Sequence, residues 1–249
     1  MLMRSRETFP APADVRHYLG AWSAVSVVQF FVAEAVVALR WAGPTPYSRT
    51  ANFISDLGAL RCGLHSGREV CSPLNWLMNG SFVLQGLGML LAAALITSTV
   101  LGVAARPTEP SPTGFTATTA VRILLAVAGA GLVVVGLVPE DSIDALHLTA
   151  AGFYFGGASL ALVVLGVQWL AHTAAGWPVL GLGAVSLVST VIGAVTDLHV
   201  PAPGLLERFM AYPITFGIAI MGAVIFAGAR NRRAEIRRLR AARPSSASS

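Results

Sequence analysis

The sequence contains no lysine and little charge of either sign. All seventeen basic residues are arginine, and charged residues make up only 12% of the 249 residues. A soluble domain of this length carries about twice that charged fraction. Hydrophobic residues reach 55%, and the mean hydropathy is +0.68. The chain therefore has more apolar surface than a water-soluble fold can bury, which indicates a membrane protein.

Several motifs that would indicate a specific activity are also missing. There is no phosphate-binding GxxxxGK loop, no detectable inverted repeat and no His-xxx-His pair. The sequence names no cofactor. The net charge of +5 does not indicate nucleic-acid binding, because much of it lies in one C-terminal stretch, RNRRAEIRRLRAAR. A basic cluster directly after a membrane span is an orientation signal that also contacts anionic lipid headgroups.

Six hydrophobic stretches are long enough to span a bilayer, which takes about 20 helical residues each. We predict an all-α, polytopic bundle of six transmembrane helices over residues 19–229, with a cytoplasmic tail at 1–18, an external loop at 43–74 and a basic, partly disordered tail at 230–249. The predicted spans are 19–41, 75–102, 119–138, 145–170, 178–199 and 207–229.

The arginines predict the orientation of these spans. Twelve lie in the two tails or at the edges of the connection between the second and third spans, and five lie on the opposite side. The positive-inside rule then places both termini in the cytoplasm. We expect a multi-pass protein of the cell membrane, with the 43–74 loop facing outward.

The only two cysteines, Cys62 and Cys71, both lie in this outward loop. Outside the cytoplasm, two nearby thiols are oxidised to a disulfide, whereas cytosolic thiols stay reduced. A metal pair is the alternative, but no second pair of cysteines accompanies them. We predict a Cys62–Cys71 disulfide.

The outward loop has a helical pattern of its own. Phe53, Leu57, Leu60 and Leu64 recur at the spacing of one helix face, and Asp56 falls on another face. We expect a short helix that lies on the membrane surface with its apolar side down. An ordinary ordered loop is the alternative.

Polar residues concentrate in the outer third of the predicted bundle. Ionisable side chains at membrane depth are costly and usually face a bundle interior or a wet cavity. We therefore predict a polar outer cavity that binds a ligand, although helix caps and ion pairs at the water boundary would give the same pattern. The candidate ligand-binding residues are Asp56, Asn75, Asn79, His147, Asp197, His199, Glu207 and Arg208.

The fourth span adds two further expectations. Asp144 precedes His147 by three residues on one helical face, so the carboxylate can hold the imidazole, and Tyr154 lies on the same stripe. Gly152 and Gly156 form a GxxxG pattern, which is typical of tight packing against a partner helix. We expect membrane lipids as partners, and a homo- or hetero-oligomer through this glycine face is an open prediction.

The chain resembles a family of prokaryotic six-helix membrane proteins known as domain of unknown function 998 (DUF998). The resemblance rests on Ser55-Asp56-Leu57-Gly58-Ala59, on Pro73 followed by Asn75 and Asn79, on Pro139-Glu140-Asp141 followed by His147, and on Glu207-Arg208 ahead of Pro213. The resemblance implies a six-helix bundle in which these motif residues lie at the outer face. It implies no activity. A more distant similarity is to the Frag1/DRAM/Sfk1 group, which is associated with lipid handling.

Three functions are compatible with these residues. The first is a lipid-handling protein in which Arg49 and Arg208 meet a phosphate. The second is a metal-dependent intramembrane hydrolase, similar to the ceramidase-like enzymes, with Asp56, His147 and Glu207 as catalytic candidates. Its candidate metal ligands are weak ones: His147, Asp197 and His199. The third is a non-catalytic accessory or sensor subunit. If Asp56, His147 and Arg208 line one outer pocket, we expect Asp56 to reach Arg208 or His147.

Overall fold

The computed structural model describes residues 15–103 and 112–241, and within them it contains six helices that are long and apolar enough to cross a membrane. The predicted all-α polytopic bundle is confirmed. Residues 1–14 with Arg4 and Arg6, most of the loop after the second span and the last eight residues lie outside the described ranges. The disorder predicted for the C-terminal end therefore stays a prediction.

The first span consists of two helices, α1 (Val15–Val25) and α2 (Gln29–Leu39), joined by a 3-10 turn at Ser26–Val28. Serine hydroxyls that bond to the backbone compete with regular helical hydrogen bonds and bend helices. Two do so here: Ser23 Oγ donates to the Leu19 carbonyl at 2.8 Å and Ser26 Oγ donates to the Ser23 carbonyl at 2.7 Å.

The second span, α3 (Asn75–Leu95), is shorter than predicted, because the chain becomes extended at Ile96 before the short α4 (Ser98–Val103). Ser72 does not cap α3. Its hydroxyl donates instead to the Leu57 carbonyl at 2.6 Å, and this bond ties the start of the helix to the loop before it.

The remaining spans are α5 (Pro112–Leu137), α6 (Asp144–Trp169), α7 (Gly176–Thr196) and α8 (Pro203–Ala241). α7 ends where Asp197 and Leu198 adopt left-handed backbone angles. α8 continues through Pro213 and runs past the predicted end of the span into the arginine-rich segment. Arginine has a high helix propensity, so this segment extends the helix rather than ending it.

The helices form a ring in which each packs on its neighbours: α1 on α3, α3 on α5, α5 on α6, α6 on α7, α7 on α8, and α8 back on α1. Small residues permit the closest approach. A Cβ atom on Gly129 would lie 2.8 Å from the Gly86 carbonyl oxygen, and one on Gly136 would lie 2.6 Å from that of Asn79. The interior is filled by large apolar side chains, among them Met78, Met89, Leu162, Ile214 and Ile218.

One end of the ring is covered by residues 43–74, which we call the cap. The cap contains a single 3-10 turn, Ser55–Gly58, and an antiparallel hairpin of β1 (Gly63–His65) and β2 (Arg68–Val70). The predicted disulfide is present: Cys62 and Cys71 flank the two strands and are joined to each other. The connections 138–143 and 197–202 lie at the same end of the bundle, which we call the cap end.

The short helix of the cap differs from the one that the apolar stripe predicts. Phe53 and Leu57 are buried, but Leu60 and Leu64 are exposed. The helix stops after one turn because the chain extends at Ala59 and then enters the hairpin. The stripe is therefore divided between a buried turn and an exposed strand, and does not form one apolar face.

Candidate functional site at the cap end of the bundle

The Ser55–Gly58 turn of the cap is inserted into the mouth of the helix ring. Ile54, Asp56 and Leu57 are almost completely buried. α3 holds the turn from below, because Asn79 Nδ2 donates to the Gly58 carbonyl at 2.8 Å. A Cβ atom on Gly58 would lie 2.4 Å from Asn79 Oδ1, so any larger residue here would have to displace the Asn79 amide. The predicted ligand residue Asn79 thus positions the cap.

Asp56 is fully buried, and it contacts three residues of the cap and the Glu140 carboxyl group beneath the cap. Its carboxylate accepts the Phe53 N–H at 2.9 Å, Asn52 Nδ2 at 3.2 Å, and Arg68 Nε and Nη2 at 3.1 and 2.9 Å. The Arg68 guanidinium also lies 4.2 Å from the centre of the Phe53 ring. The contact predicted from Asp56 to Arg208 or His147 is wrong, because the hairpin brings Arg68 to Asp56 first.

Glu140, in the short connection between α5 and α6, is the second buried acid beneath the cap. Ser55 Oγ donates to Glu140 Oε2 at 2.7 Å, and Arg68 Nη2 lies 3.6 Å from the same oxygen. Burial, followed by the neighbouring charge of Asp56, raises the pKa of Glu140 to about 9. Glu140 therefore carries a proton at neutral pH, which lets two carboxyl groups and one arginine share this small volume.

Asp141, next to Glu140, fixes the outer part of the cap. Its carboxylate accepts the backbone N–H groups of Leu60 and Arg61 at 2.9 and 2.8 Å. The connection between α5 and α6 thus holds the cap on one side of the mouth.

Arg208 holds the cap on the other side. Nη1 donates to the carbonyl oxygens of Arg49, Asn52 and Gly204, each at 2.9 Å. Nη2 donates to Glu34 Oε1 at 2.9 Å and to the Tyr47 hydroxyl, and Nε lies 3.1 Å from the Tyr212 hydroxyl. Burial raises the pKa of the Tyr47 phenol, so this cap residue stays neutral.

The guanidinium donors of Arg208 are thus already on protein acceptors, and the side chain is only 3% exposed. The phosphate contact predicted for Arg208 would have to displace one of these bonds.

We call the contacts that Asp141 and Arg208 make with the cap the two clamps. Between them lies a cavity of about 30 Å³, which has room for about two water molecules. Most of its wall is apolar. Five polar residues from the cap, α3, α6 and α8 also line it: Ser55, Gln85, His147, Tyr154 and Glu207. Two of them, His147 and Glu207, were predicted as site residues, and Tyr154 lies on the predicted stripe with His147.

The polar groups of the cavity are oriented by hydrogen bonds to one another and to the surrounding protein. His147 Nδ1 donates to the Val138 carbonyl at 2.7 Å, so this carbonyl orients the ring and Asp144, which is exposed, does not. Gln85 Nε2 donates to Thr215 Oγ1 at 3.0 Å and lies 3.5 Å from the Tyr154 hydroxyl. The Glu207 carboxylate accepts the Ile54 N–H of the cap.

Three predicted residues do not join this arrangement. Asp197 and His199 lie 3.9 Å from each other with almost fully exposed side chains, because the left-handed turn at the end of α7 directs them away from the mouth. Asn75 Nδ2 donates to the Ser72 carbonyl at 2.9 Å and serves the start of α3. Within residues 15–103 and 112–241, no group of three His, Cys, Asp or Glu side chains is arranged to hold a metal ion. The hydrolase alternative therefore has no ligand set in the described chain.

Gly152 and Gly156 have no atom of the chain within 4 Å of a Cβ built on either. The GxxxG face of α6 is therefore not used inside the bundle. Its role as an oligomer contact stays a prediction.

Sequence reasoning missed the residues that close the cap. Arg68 and Tyr47 look like ordinary loop residues, and nothing in their spacing indicates that they contact Asp56 and Arg208. The position of Gln85 in the sequence does indicate a buried polar contact, because it is an amide deep within an apolar span, where polar groups need a partner. The same holds for Glu34, and its partner is Arg208 of the last span.

Comparison with known proteins agrees with this architecture and adds no activity. A family described as "Protein of unknown function (DUF998)" matches residues 24–224, which cover all six spans in whole or in part. No curated protein and no solved structure matches the chain. The matched range contains the cap, both clamps and the cavity. The chain is a multi-pass membrane protein that belongs to the DUF998 family.

Proposed function

We propose that this protein binds a lipid or another amphipathic ligand at the outer face of the cell membrane, with a polar group of the ligand held in the cavity beneath the cap. The observation that carries the proposal is the convergence of Gln85, His147, Tyr154 and Glu207, from three different helices, on one cavity. A mostly apolar wall with a few convergent polar groups is the usual composition of a small-molecule site.

The orientation is part of this proposal. The arginine-rich extension of α8 lies at the end of the bundle opposite the cap, which agrees with a cytoplasmic C-terminus. The Cys62–Cys71 disulfide lies in the cap and is typical of an oxidising compartment. Both features favour a cap that faces outward.

The size of the cavity limits what it holds. A volume of about 30 Å³ accepts one small polar group and not a whole phospholipid headgroup. The rest of the ligand would have to pass between helices or beneath a displaced cap. We therefore expect ligand exchange to require movement of the cap. The cap is held by hydrogen bonds, by ion pairs, and by Ile54 and Leu57, which belong to the same apolar core as the helices.

A cavity-filling substitution tests the proposal. Ala211 is buried in the cavity wall, and Ala211→Leu would occupy the space that the polar group needs. Ala184→Leu on the exposed face of α7 is the matched control. Native mass spectrometry of protein extracted from its membrane should show bound lipid or amphiphile on the unmodified protein and on Ala184→Leu, and several-fold less on Ala211→Leu. Equal retention by all three, with equal thermal stability, would overturn the proposal.

A further inference from the structure

The buried acids at the cap end are not all balanced in the same way. Glu34 is paired with Arg208, and Asp56 is paired with Arg68, each at 2.9 Å. Glu140 is neutral at pH 7, because its pKa is raised to about 9. Glu207 differs from all three: among the described residues it forms no ion pair within 4.0 Å, since Arg208 beside it in sequence turns to Glu34. A carboxylate at this depth is neutralised by a proton or compensated by a nearby cation.

The hydrogen-bonding groups around the cavity are mostly acceptors. Both the Nδ1 proton of His147 and the amide protons of Gln85 are engaged on protein atoms, which leaves the His147 Nε2 lone pair and the Gln85 carbonyl oxygen as acceptors. The Ser55 hydroxyl proton is donated to Glu140. With the Glu207 carboxylate added, the cavity offers several acceptors and, in the Tyr154 hydroxyl, one group that can also donate.

Aromatic rings complete the wall. Phe30, Phe82 and Phe155 line the cavity together with Tyr154. The face of an aromatic ring attracts a nearby cation, most strongly where water is excluded. An anion would meet lone pairs and ring faces here, and both disfavour it.

We propose that the group held in the cavity is a primary ammonium, the size of a water molecule and rich in donors, rather than a phosphate or another anion. This inference rests on the proposed function and specifies its ligand class. The ammonium has two sources: the headgroup of an aminophospholipid such as phosphatidylethanolamine, or a free alkylamine. The same acceptors would bind it in either case.

The test compares lipids on the unmodified protein. The purified protein is placed in nanodiscs that contain equimolar phosphatidylethanolamine, phosphatidylcholine and phosphatidylglycerol, and bound lipid is identified by native mass spectrometry. A charged donor in a dry site gains about tenfold or more in affinity over a group that cannot donate. We expect phosphatidylethanolamine to be retained at least about tenfold over the other two, because the choline headgroup has no N–H and phosphatidylglycerol is anionic.

A second arm separates the two sources. Methylammonium at millimolar concentration is added to the nanodiscs. Displacement of bound phosphatidylethanolamine would show that a free amine occupies the site, whereas unchanged retention would assign the ammonium to the lipid headgroup. Both assignments require the phosphatidylethanolamine preference of the first comparison, and without that preference neither result supports the ammonium class.

Glu207→Gln adds a residue-level test, because it keeps the shape of the side chain and removes the charge. The preference for phosphatidylethanolamine should fall about tenfold, while Glu69→Gln, in the exposed hairpin, should leave it unchanged. The lipid comparison on the unmodified protein decides the matter even if Glu207→Gln fails to fold.

Failure of the ammonium proposal can be distinguished from failure of the proposed function. Equal retention of the three lipids, or preference for phosphatidylglycerol, combined with loss of all binding in Ala211→Leu, would overturn the ammonium class and leave the proposed function standing. Retention that Ala211→Leu does not alter would overturn both.

Discussion

Arg208 and Glu34 lie 174 residues apart in sequence, and their side chains meet at 2.9 Å, where both are almost fully buried. This ion pair joins the last span to the first. The same guanidinium also binds two carbonyl groups of the cap. One side chain therefore closes the helix ring and holds the cap. Its loss should weaken both the contact between the two spans and the attachment of the cap.

We predict that Arg208→Met destabilises the protein by about 3–5 kcal/mol, because it leaves the Glu34 carboxylate buried and unpaired. The double variant Glu34→Met/Arg208→Met should lose clearly less than the sum of the two single variants. Unfolding in detergent measures both. The exposed Arg232–Glu235 pair on α8 is the control, and Glu235→Met should cost at most about 1 kcal/mol. Additive losses at 34 and 208 would contradict the ion pair.

The seat of the cap on α8 should be intolerant of a single methyl group. Gly204 and Leu205 donate their N–H groups to the Thr50 carbonyl, and a Cβ atom on Gly204 would lie 2.1 Å from the Asn52 carbonyl oxygen. We expect Gly204→Ala to cost about 1–3 kcal/mol and to make the cap accessible to protease. Gly181→Ala, which meets no atom within 4 Å, should be neutral or stabilising by up to about 1 kcal/mol. Similar effects of both substitutions would argue against the close contact.

The protein should lose stability as the pH rises from about 4.5 to about 9. The pKa of Glu140 is about 9 in the folded protein and near 4.5 when the side chain is free. Between these values the folded state binds one proton more than the unfolded chain, so the free energy of unfolding falls with pH and levels off above about 9.

Glu140→Gln should flatten this part of the pH profile, because the amide does not titrate. Thermal unfolding in detergent across this range would measure it, with Glu69→Gln as a control that keeps the slope. A Glu140→Gln protein with the full slope would show that another group is responsible.

The cap hairpin should depend on its disulfide. The bond between Cys62 and Cys71 closes a loop with a sequence separation of 9, which corresponds to about 2–3 kcal/mol in the chain-entropy model. Addition of a reductant should lower the midpoint of thermal unfolding for the unmodified protein and not for Cys62→Ser/Cys71→Ser. Two free thiols in a non-reducing mass spectrum of native protein would contradict the bond.

Much of this architecture could be predicted from the sequence, because lipid imposes strong rules on composition. The length of the apolar runs gives the six spans, and the pair of cysteines in one loop gives the disulfide. The concentration of Asp56, Asn79, His147, Glu207 and Arg208 at one end also holds in the structure. Local helix geometry and burial cost are sufficient for these inferences.

Which of these polar residues contact one another could not be predicted, because the contacts depend on how the cap folds over the bundle. Asp56 contacts Arg68 only because the hairpin turns the chain back over the 3-10 turn. The apolar spacing from Phe53 to Leu64 indicated one continuous helix, and that pattern does not reveal the break at Ala59. Asp197 and His199 were assigned to the site by depth alone, and depth carries no information on the direction of a side chain at a helix end.

An experimental structure of the protein in lipid nanodiscs that contain phosphatidylethanolamine tests the central claim most directly. The account predicts density for a bound group in the cavity between Glu207 and Gln85, continuous with a lipid or amphiphile, with hydrogen bonds to these side chains and to His147. A cavity that stays empty or holds only water at saturating lipid, beneath a closed cap, would contradict it.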